Sequence, residues 1–451
     1  MDIKERAGFT SKFGVIAAAA GSAVGLGNIW RFPYVAGENG GGAFLLIYLL
    51  FILAIGVPVM LSEFTIGRKA QRNTLGAFRK LAPRSGWSII GVMGIIAAFV
   101  ILAFYSTIAG WTLEYIVKAV SNSFQGKNTD ILFENFKSQT FFPLLWQFIF
   151  MILTATIVFM GVQKGIERYT KILMPLLLLL IIAMCIRSLT LEGSMEGVKF
   201  LFNPDFSKIT FNVILEALGQ AAFSLSIGMG ALITYGSYIQ KDNHLPNTAI
   251  QVATADTVIA VLAGVMIFPA VFALGMDPQS GPGLVFEVLP KLFMQMPMGY
   301  LFSILFFVLL AVAALTSTVS LLEVVVAYFS EELNMSRTKA TIISTSMIWF
   351  FGIFATLSFS SLKDFTLFDL TIFDSLDYVS ANILLPLGAL LIVIFLGWKF
   401  GKRQTYLETT NEQSIPFKLF RVFFFIVKFI APIAIVFIFL NSLGLFRFLQ
   451  S

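Results

Sequence analysis

The sequence predicts an all-α protein, a polytopic transmembrane helical bundle, from three observations. Apolar residues are in large excess, they recur in stretches long enough to cross a bilayer, and two of those stretches are interrupted in matching ways. Of 451 residues, 57% are hydrophobic and 12% charged, and the mean hydropathy is +0.86. Soluble domains carry about 25% charged residues. One oversized core cannot absorb the difference, because single cores stop growing near ~250–300 residues. A bilayer is the solvent that tolerates so much apolar surface. The formal charge of +6 is small for this length and gives no reason to expect nucleic acid. One cysteine (Cys185) and one histidine (His244) exclude a disulfide scaffold, a zinc cluster and haem held by paired histidines. The first apolar stretch contains Asn28 and Arg31 and lacks a small-residue cleavage site, so it reads as a span of the mature protein.

A spanning helix needs about 20 mostly apolar residues. The chain then divides into eleven spans near 12–36, 42–67, 87–121, 143–161, 168–188, 212–239, 248–274, 299–330, 339–357, 375–398 and 418–444. Longer loops fall at 122–141 and 189–211, and 275–298 reads as a re-entrant or extramembrane hairpin rich in Gly, Pro and Met. Basic residues set the orientation. Lys4, Arg6 and Lys12 precede span one, a group from Arg68 to Arg84 follows span two, and Lys164, Arg168 and Lys171 follow span four. Lys399, Lys402 and Arg403 follow span ten. All of these loops lie on one side, which places the N-terminus in the cytoplasm and, with an odd count, the C-terminus outside. The loop with Asp364, Asp369, Asp374 and Asp377 falls on the opposite side.

Spans one and six are the least regular. Span one reads Gly21-Ser22-Ala23-Val24-Gly25-Leu26-Gly27-Asn28, and span six reads Ser224-Leu225-Ser226-Ile227-Gly228-Met229-Gly230. Both carry a Gly-x-Gly pair at mid-membrane depth. They stand five spans apart, as expected if spans one to five (about 12–188) and six to ten (about 212–398) are repeats, with an extra span at 418–444. A five-span unit must invert when repeated. The whole of residues 1–451 is then one transporter-like domain. Unwound backbone exposes N–H and C=O groups that lipid cannot satisfy, so these must face a cavity or a ligand. Half-helix N-termini favour an anion and freed carbonyls a cation. A single Gly pair is equally well explained by close helix packing. Two pairs, both flanked by hydroxyls and one by an amide, favour a central binding site.

Ionisable groups inside spans cost at least ~2.5–3.5 kcal/mol each and are functional candidates by default. Glu63, Glu114, Asp256 and Glu323 qualify. Glu63 and Glu114 read equally well as interfacial groups without a role. Asp256 sits in the small, hydroxyl-rich run Ala253-Thr254-Ala255-Asp256-Thr257. Span eight carries Thr316-Ser317-Thr318 with Ser320 close behind. Such hydroxyls can back-bond to the preceding helical turn. They are also a ready oxygen set for a hard cation, without the thiol or imidazole that a transition metal prefers.

These residues resemble a known family. The stretch Gly25-Leu26-Gly27-Asn28-Ile29-Trp30-Arg31-Phe32-Pro33-Tyr34, followed by Glu38-Asn39-Gly40-Gly41-Gly42-Ala43-Phe44, is similar to the signature of the neurotransmitter:sodium symporters. Weaker matches follow in order at Trp111-Thr112-Leu113, Ser226-Ile227-Gly228-Met229-Gly230 and Leu315-Thr316-Ser317, so the resemblance covers nearly the whole chain. It implies a LeuT-type five-plus-five inverted repeat with discontinuous helices one and six. It also implies sodium-coupled import of a small amino acid by alternating access, in a bacterial eleven-span member of the plasma (inner) membrane, and no enzymatic activity. The competing class is a membrane receptor or sensor that binds an amino acid without translocating it.

Carried over by position, the resemblance implies two sodium sites. The first uses Ala23, Asn28, Ser224, a span-seven residue near Asp256, and the substrate's own carboxylate. The second uses carbonyls of Gly21, Val24 and Ala313 with the hydroxyls of Thr316 and Ser317. Substrate is implied to contact Ser22, Ala23, Leu26, Gly27, Ile101, Tyr105, Phe223, Ser224, Ser226, Met229, Ser317 and Leu321. Tyr105 donates to the substrate carboxylate in this reading, and Phe223 covers the pocket. An outer gate pairs Arg31 with Asp377, and an inner gate joins Arg6 to Glu331 with Tyr238 nearby.

Three positions refine the reading. Asp256 stands near where the family usually has Asn, and its charge replaces the chloride that animal relatives bind, so chloride is expected not to be required. Tyr48, Gln220 and Ser224 match other chloride-site positions and keep that question open. Gly25 stands where monoamine carriers have Asp, which favours an amino acid that brings its own carboxylate. Met229 stands where several relatives have Phe; its flexibility suits larger hydrophobic or aromatic substrates. Expected partners are an amino acid and membrane lipid, with the chain a monomer or weak homodimer and no nucleic acid bound.

Overall fold

The computed structural model describes residues 8–276 and 285–445. Lys4 and Arg6 lie outside that range, as does the 277–284 part of the Gly-, Pro- and Met-rich hairpin. Among the described residues, nine helices are long and apolar enough to cross a membrane. They are Gly42–Ala70, Ser88–Val120, Phe141–Phe159, Val162–Leu189, Leu245–Ala273, Gly299–Glu332, Arg337–Leu357, Ile372–Thr409 and Phe420–Ser442. Lys12–Ala23 and Gly27–Glu38 make a tenth as a pair bent by 53°. The eleventh predicted span consists of two short helices, Phe211–Ser224 and Ala231–Gly236. Neither half is long enough to span by itself, which is why length and hydropathy alone stop at ten. The eleven-span reading is consistent with this arrangement, and both irregular spans break where the sequence placed their Gly-x-Gly pairs.

Local chemistry explains each break. In span six, Ser226 (φ 55°), Gly228 (φ 86°) and Gly230 (φ 74°) are all left-handed, which no α-helix accommodates. A Cβ on Gly228 would run into the Leu385 carbonyl oxygen of span ten, so the close backbone approach also demands glycine there. In span one the helix ends as Val24 turns extended (ψ 113°). It resumes at Gly27 as a π-helical turn that continues through Phe32-Pro33, with proline tolerated in the first turn of the following helix.

Burial orders the layers. Span eight is the centre, with 72% of its most apolar window buried, whereas span five is peripheral at 28%. Leu50, Leu53, Ile172, Leu179, Ile186, Phe350 and Phe425 are exposed on outer helix faces, where a bilayer is their solvent. Between span nine and span ten, Thr366–Leu367 pairs antiparallel with Leu370–Thr371 as a minimal hairpin. The 275–298 region contains a short helix, Val288–Gln295, in its second half.

Candidate transport site

The two breaks face each other, and several of the backbone groups they release have specific partners. In span one, Gly25 N–H donates to Asn28 Oδ1 (3.1 Å) and Leu26 N–H to the Tyr105 hydroxyl oxygen (3.0 Å). The Gly27 carbonyl accepts from Gln220 Nε2 (3.0 Å). In span six, Gly228 N–H donates to Glu63 Oε1 (2.8 Å), and the Gly230 carbonyl accepts from Thr74 Oγ1 (2.9 Å). Ser226 Oγ donates to the Ser22 carbonyl (2.9 Å) and so ties one break to the other. Glu63 is fully buried and is therefore a structural partner of the span-six break, not an interfacial group. Glu114 is a local anchor instead, accepting from Trp146 Nε1 (2.6 Å) and pairing with Lys118 (3.2 Å).

A cluster of oxygens lies on one side of the breaks. Asn28 Nδ2 donates to Asp256 Oδ1 (2.7 Å), to the Asp256 carbonyl (3.2 Å) and to Ser224 Oγ (3.0 Å). Ser224 Oγ donates to Asp256 Oδ2 (2.8 Å) and accepts from the Tyr48 hydroxyl (3.3 Å). Asn28, Ser224, Asp256 and Tyr48 are all buried. Asp256 sits well inside the Leu245–Ala273 helix, away from water. A buried carboxylate without a basic partner needs compensation. Here it comes from the Asn28 amide and the Ser224 hydroxyl.

A second, neutral cluster lies on the other side. Thr316 Oγ1 contacts the carbonyls of Ala313 (2.9 Å) and Val24 (3.3 Å). Ser317 Oγ contacts those of Val24 (3.2 Å) and Ser22 (3.5 Å). Gly21 packs against Thr316, where an added Cβ would lie 3.3 Å from the threonine Cβ. Hydroxyls and carbonyls of spans one and eight thus converge without thiol or imidazole, a donor set suited to a hard monovalent cation. Among the described residues, no group of three His, Cys, Asp or Glu side chains suits a transition metal.

Between the clusters is a small cavity of about 40 Å³. Ser22, Ala23, Gly25, Gly27, Ser226 and Ser317 form its polar half, and Ile101, Tyr105, Phe223, Met229 and Leu321 its largely apolar half. Ten of the twelve substrate residues expected from sequence line it. Leu26 and Ser224 do not; the Leu26 amide donates to Tyr105, and the Ser224 hydroxyl is turned to Asp256. Gly25, expected from sequence at the span-one break and as a position without a carboxylate but not among the substrate contacts, also lines the cavity. A Cβ there would collide with Ser317 Oγ and lie 2.9 Å from the Tyr105 hydroxyl. Phe223 lines this cavity and also a larger one of about 250 Å³ bounded by spans one, two, six, ten and eleven, and so borders both.

Among the described residues, the expected gate residues meet other partners. Arg31 stacks its guanidinium over the Phe223 ring at 4.5 Å. Among the described residues it makes no ion pair to Asp377 within 4.0 Å. Arg6 lies outside the described residues. Glu331 accepts from Asn73 N–H (2.9 Å) and Nδ2 (3.0 Å). Tyr238 reaches a different carboxylate, donating to Glu323 Oε1 (2.6 Å). Arg337 binds both Glu323 oxygens (3.1 and 2.6 Å) and the Val158 carbonyl. The sequence marks Glu323 as an intramembrane acid but shows neither its partner Arg337 nor its link to Tyr238. Nothing in the spacing of a helix-start arginine reveals which carboxylate it meets.

Comparison with known proteins extends this picture. Residues 6–135 and 138–450 match the sodium:neurotransmitter symporter family. An uncharacterized sodium-dependent transporter of Bacillus subtilis is 44% identical over 443 residues, covering 98% of each chain. One from Methanocaldococcus jannaschii is 33% identical, over 89% of this chain and 83% of the other. The crystal structure of MhsT in complex with L-phenylalanine is similar at 49% identity with a TM-score of 0.89, covering 97% of this chain and 100% of that one.

Proposed function

We propose that this chain, which belongs to the sodium:neurotransmitter symporter family and is a sodium-dependent membrane transporter, imports a hydrophobic or aromatic amino acid together with sodium by alternating access. The observation that carries this reading is the divided cavity, polar where the two breaks meet and apolar toward Ile101, Phe223, Met229 and Leu321. The polar half accepts a zwitterionic backbone and the apolar half a hydrophobic side chain. Gly25 leaves no side-chain carboxylate on the cavity wall, so the substrate must supply its own. That carboxylate then completes the oxygen set around Asn28, and ion and substrate binding become mutually dependent, a coupling that is reciprocal. The oxygens of Gly21, Val24, Ala313, Thr316 and Ser317 hold a second sodium in this reading. Support for the substrate class comes from a relative crystallised with L-phenylalanine and from a mouse relative, 32% identical over 58% of this chain, named a neutral amino acid transporter.

With Asp256 supplying negative charge, chloride is not required. Basic loops place the N-terminus in the cytoplasm. Thermal-shift measurements across the twenty amino acids test the reading, because a ligand at 100 times its Kd stabilises the folded state by about 2.7 kcal/mol. Hydrophobic or aromatic amino acids should raise the melting temperature in sodium and not in potassium. Equal shifts in both salts would refute the coupling.

A further inference from the structure

Outside the central site, one buried carboxylate joins two helices that alternating access must separate. Glu167 closes a π-helical turn, Val162–Glu167, at the start of span five and is 2% exposed. Its Oε2 accepts from Thr10 N–H (2.8 Å). Its Oε1 accepts from Thr10 Oγ1 (2.8 Å) and Ser11 Oγ (3.0 Å). Ser11 also accepts from Gly14 N–H (3.0 Å), so the same hydroxyl caps the Lys12–Ala23 helix and donates to the carboxylate. The negative charge therefore stands at the positive end of that helix dipole. A Cβ on Gly14 would collide with Glu167 Oε1, so glycine lets the carboxylate approach this closely. Further along the same interface, Thr170 and Met174 of span five pack against Gly21, which also packs against Thr316 of the second oxygen cluster.

We propose that Glu167 is a positioning residue for transport: a latch on span five that holds the cytoplasmic half of span one shut beneath the second sodium site. The inference rests on the transport reading above. It is separate from the Tyr238–Glu323 pair and from the inner gate expected between Arg6 and Glu331, lying on a different helix and acting through different groups. The latch is built to reopen without stranding a charge. Lys171, four residues on along span five, pairs with Glu167 Oε1 (2.5 Å) and is itself 31% exposed. When span one moves away, the carboxylate keeps this partner and gains water in place of Thr10 and Ser11. The π-helical turn gives the local backbone slack for that exchange, as such turns do at functional positions. On the other side of the latch, Phe9 covers Tyr235 with ring centroids 5.8 Å apart, and Tyr235 is only 1% exposed. Movement of span one uncovers Tyr235.

The test places a reporter thiol there, with Tyr235→Cys in a Cys185→Ala background, and measures its rate of modification by a methanethiosulfonate reagent in sodium and in potassium. Adding Glu167→Gln should speed modification in sodium about tenfold, the effect of weakening the closed state by about 1.4 kcal/mol. Gly14→Ala attacks the latch from the opposite helix and should do the same, and it carries the test alone if Glu167→Gln does not assemble. Because both break one contact, the double substitution should exceed the larger single effect by no more than about twofold. An unchanged rate in both variants overturns the latch, as does a lowered melting temperature with no change in modification. The latch is read from variant against reference, and sodium coupling from sodium against potassium in the reference, so the two readings fail separately.

Discussion

The two oxygen clusters flanking the central cavity differ in charge. The cluster of Asn28, Ser224 and Asp256 draws side chains from spans one, six and seven around a full negative charge. The cluster of Thr316 and Ser317 is neutral and works through hydroxyls aimed at carbonyls that span one exposes where its helix stops. The first therefore depends on one ionised group and the second on the shape of a helix break. Substituting Asp256 removes the cluster's only formal charge, whereas substituting Thr316 removes one oxygen of several.

The largest effect follows from Asp256. In gluconate, Asp256→Ser should raise the sodium concentration for half-maximal uptake about 100-fold, equivalent to about 2.7 kcal/mol. Chloride should restore part of that loss in the variant and change nothing in the unsubstituted protein. A variant indifferent to chloride would end the idea that Asp256 stands in for the anion. Thr316→Val keeps shape and removes one oxygen, and should raise the sodium requirement about tenfold, within the range for a lost contact to a charged group. If sodium dependence is unchanged in that variant, span eight holds no ion and the two-site comparison collapses. The smallest effect falls on the apolar wall. Met229→Phe enlarges a rigid side chain in a small cavity and should lower uptake of aromatic relative to smaller amino acids about fivefold, typical of modest changes in an apolar pocket. Competition of phenylalanine against alanine for uptake reads that ratio directly.

Much of the site was legible because membrane physics makes polar residues conspicuous. Asp256, Thr316 and Ser317 stand out in apolar spans, and the paired glycines identify the breaks without any coordinates. Residues whose role is to satisfy freed backbone were harder to read. Glu63 looked as much like an interfacial acid as a functional one, yet it caps the span-six break at Gly228. Thr74, in a loop helix outside the spans, holds the Gly230 carbonyl, a contact that no period or motif announces. Glu167 sits in a basic stretch that read only as a topology signal, and its place at the end of span one comes from packing across 157 positions of sequence.

By itself, the sequence determined the bilayer as solvent, the helical class, the spans, and the two points where helices must break. Those follow from hydropathy, the length of a spanning helix and the conformational range of glycine, all of which are local. Only the tertiary structure decided which carboxylate serves which partner: Glu63 with Gly228, Glu323 with Tyr238 and Arg337, Glu167 with Thr10 and Ser11. Such pairings depend on how separate helices pack, and a buried charge accepts whatever donor the fold brings within about 3 Å.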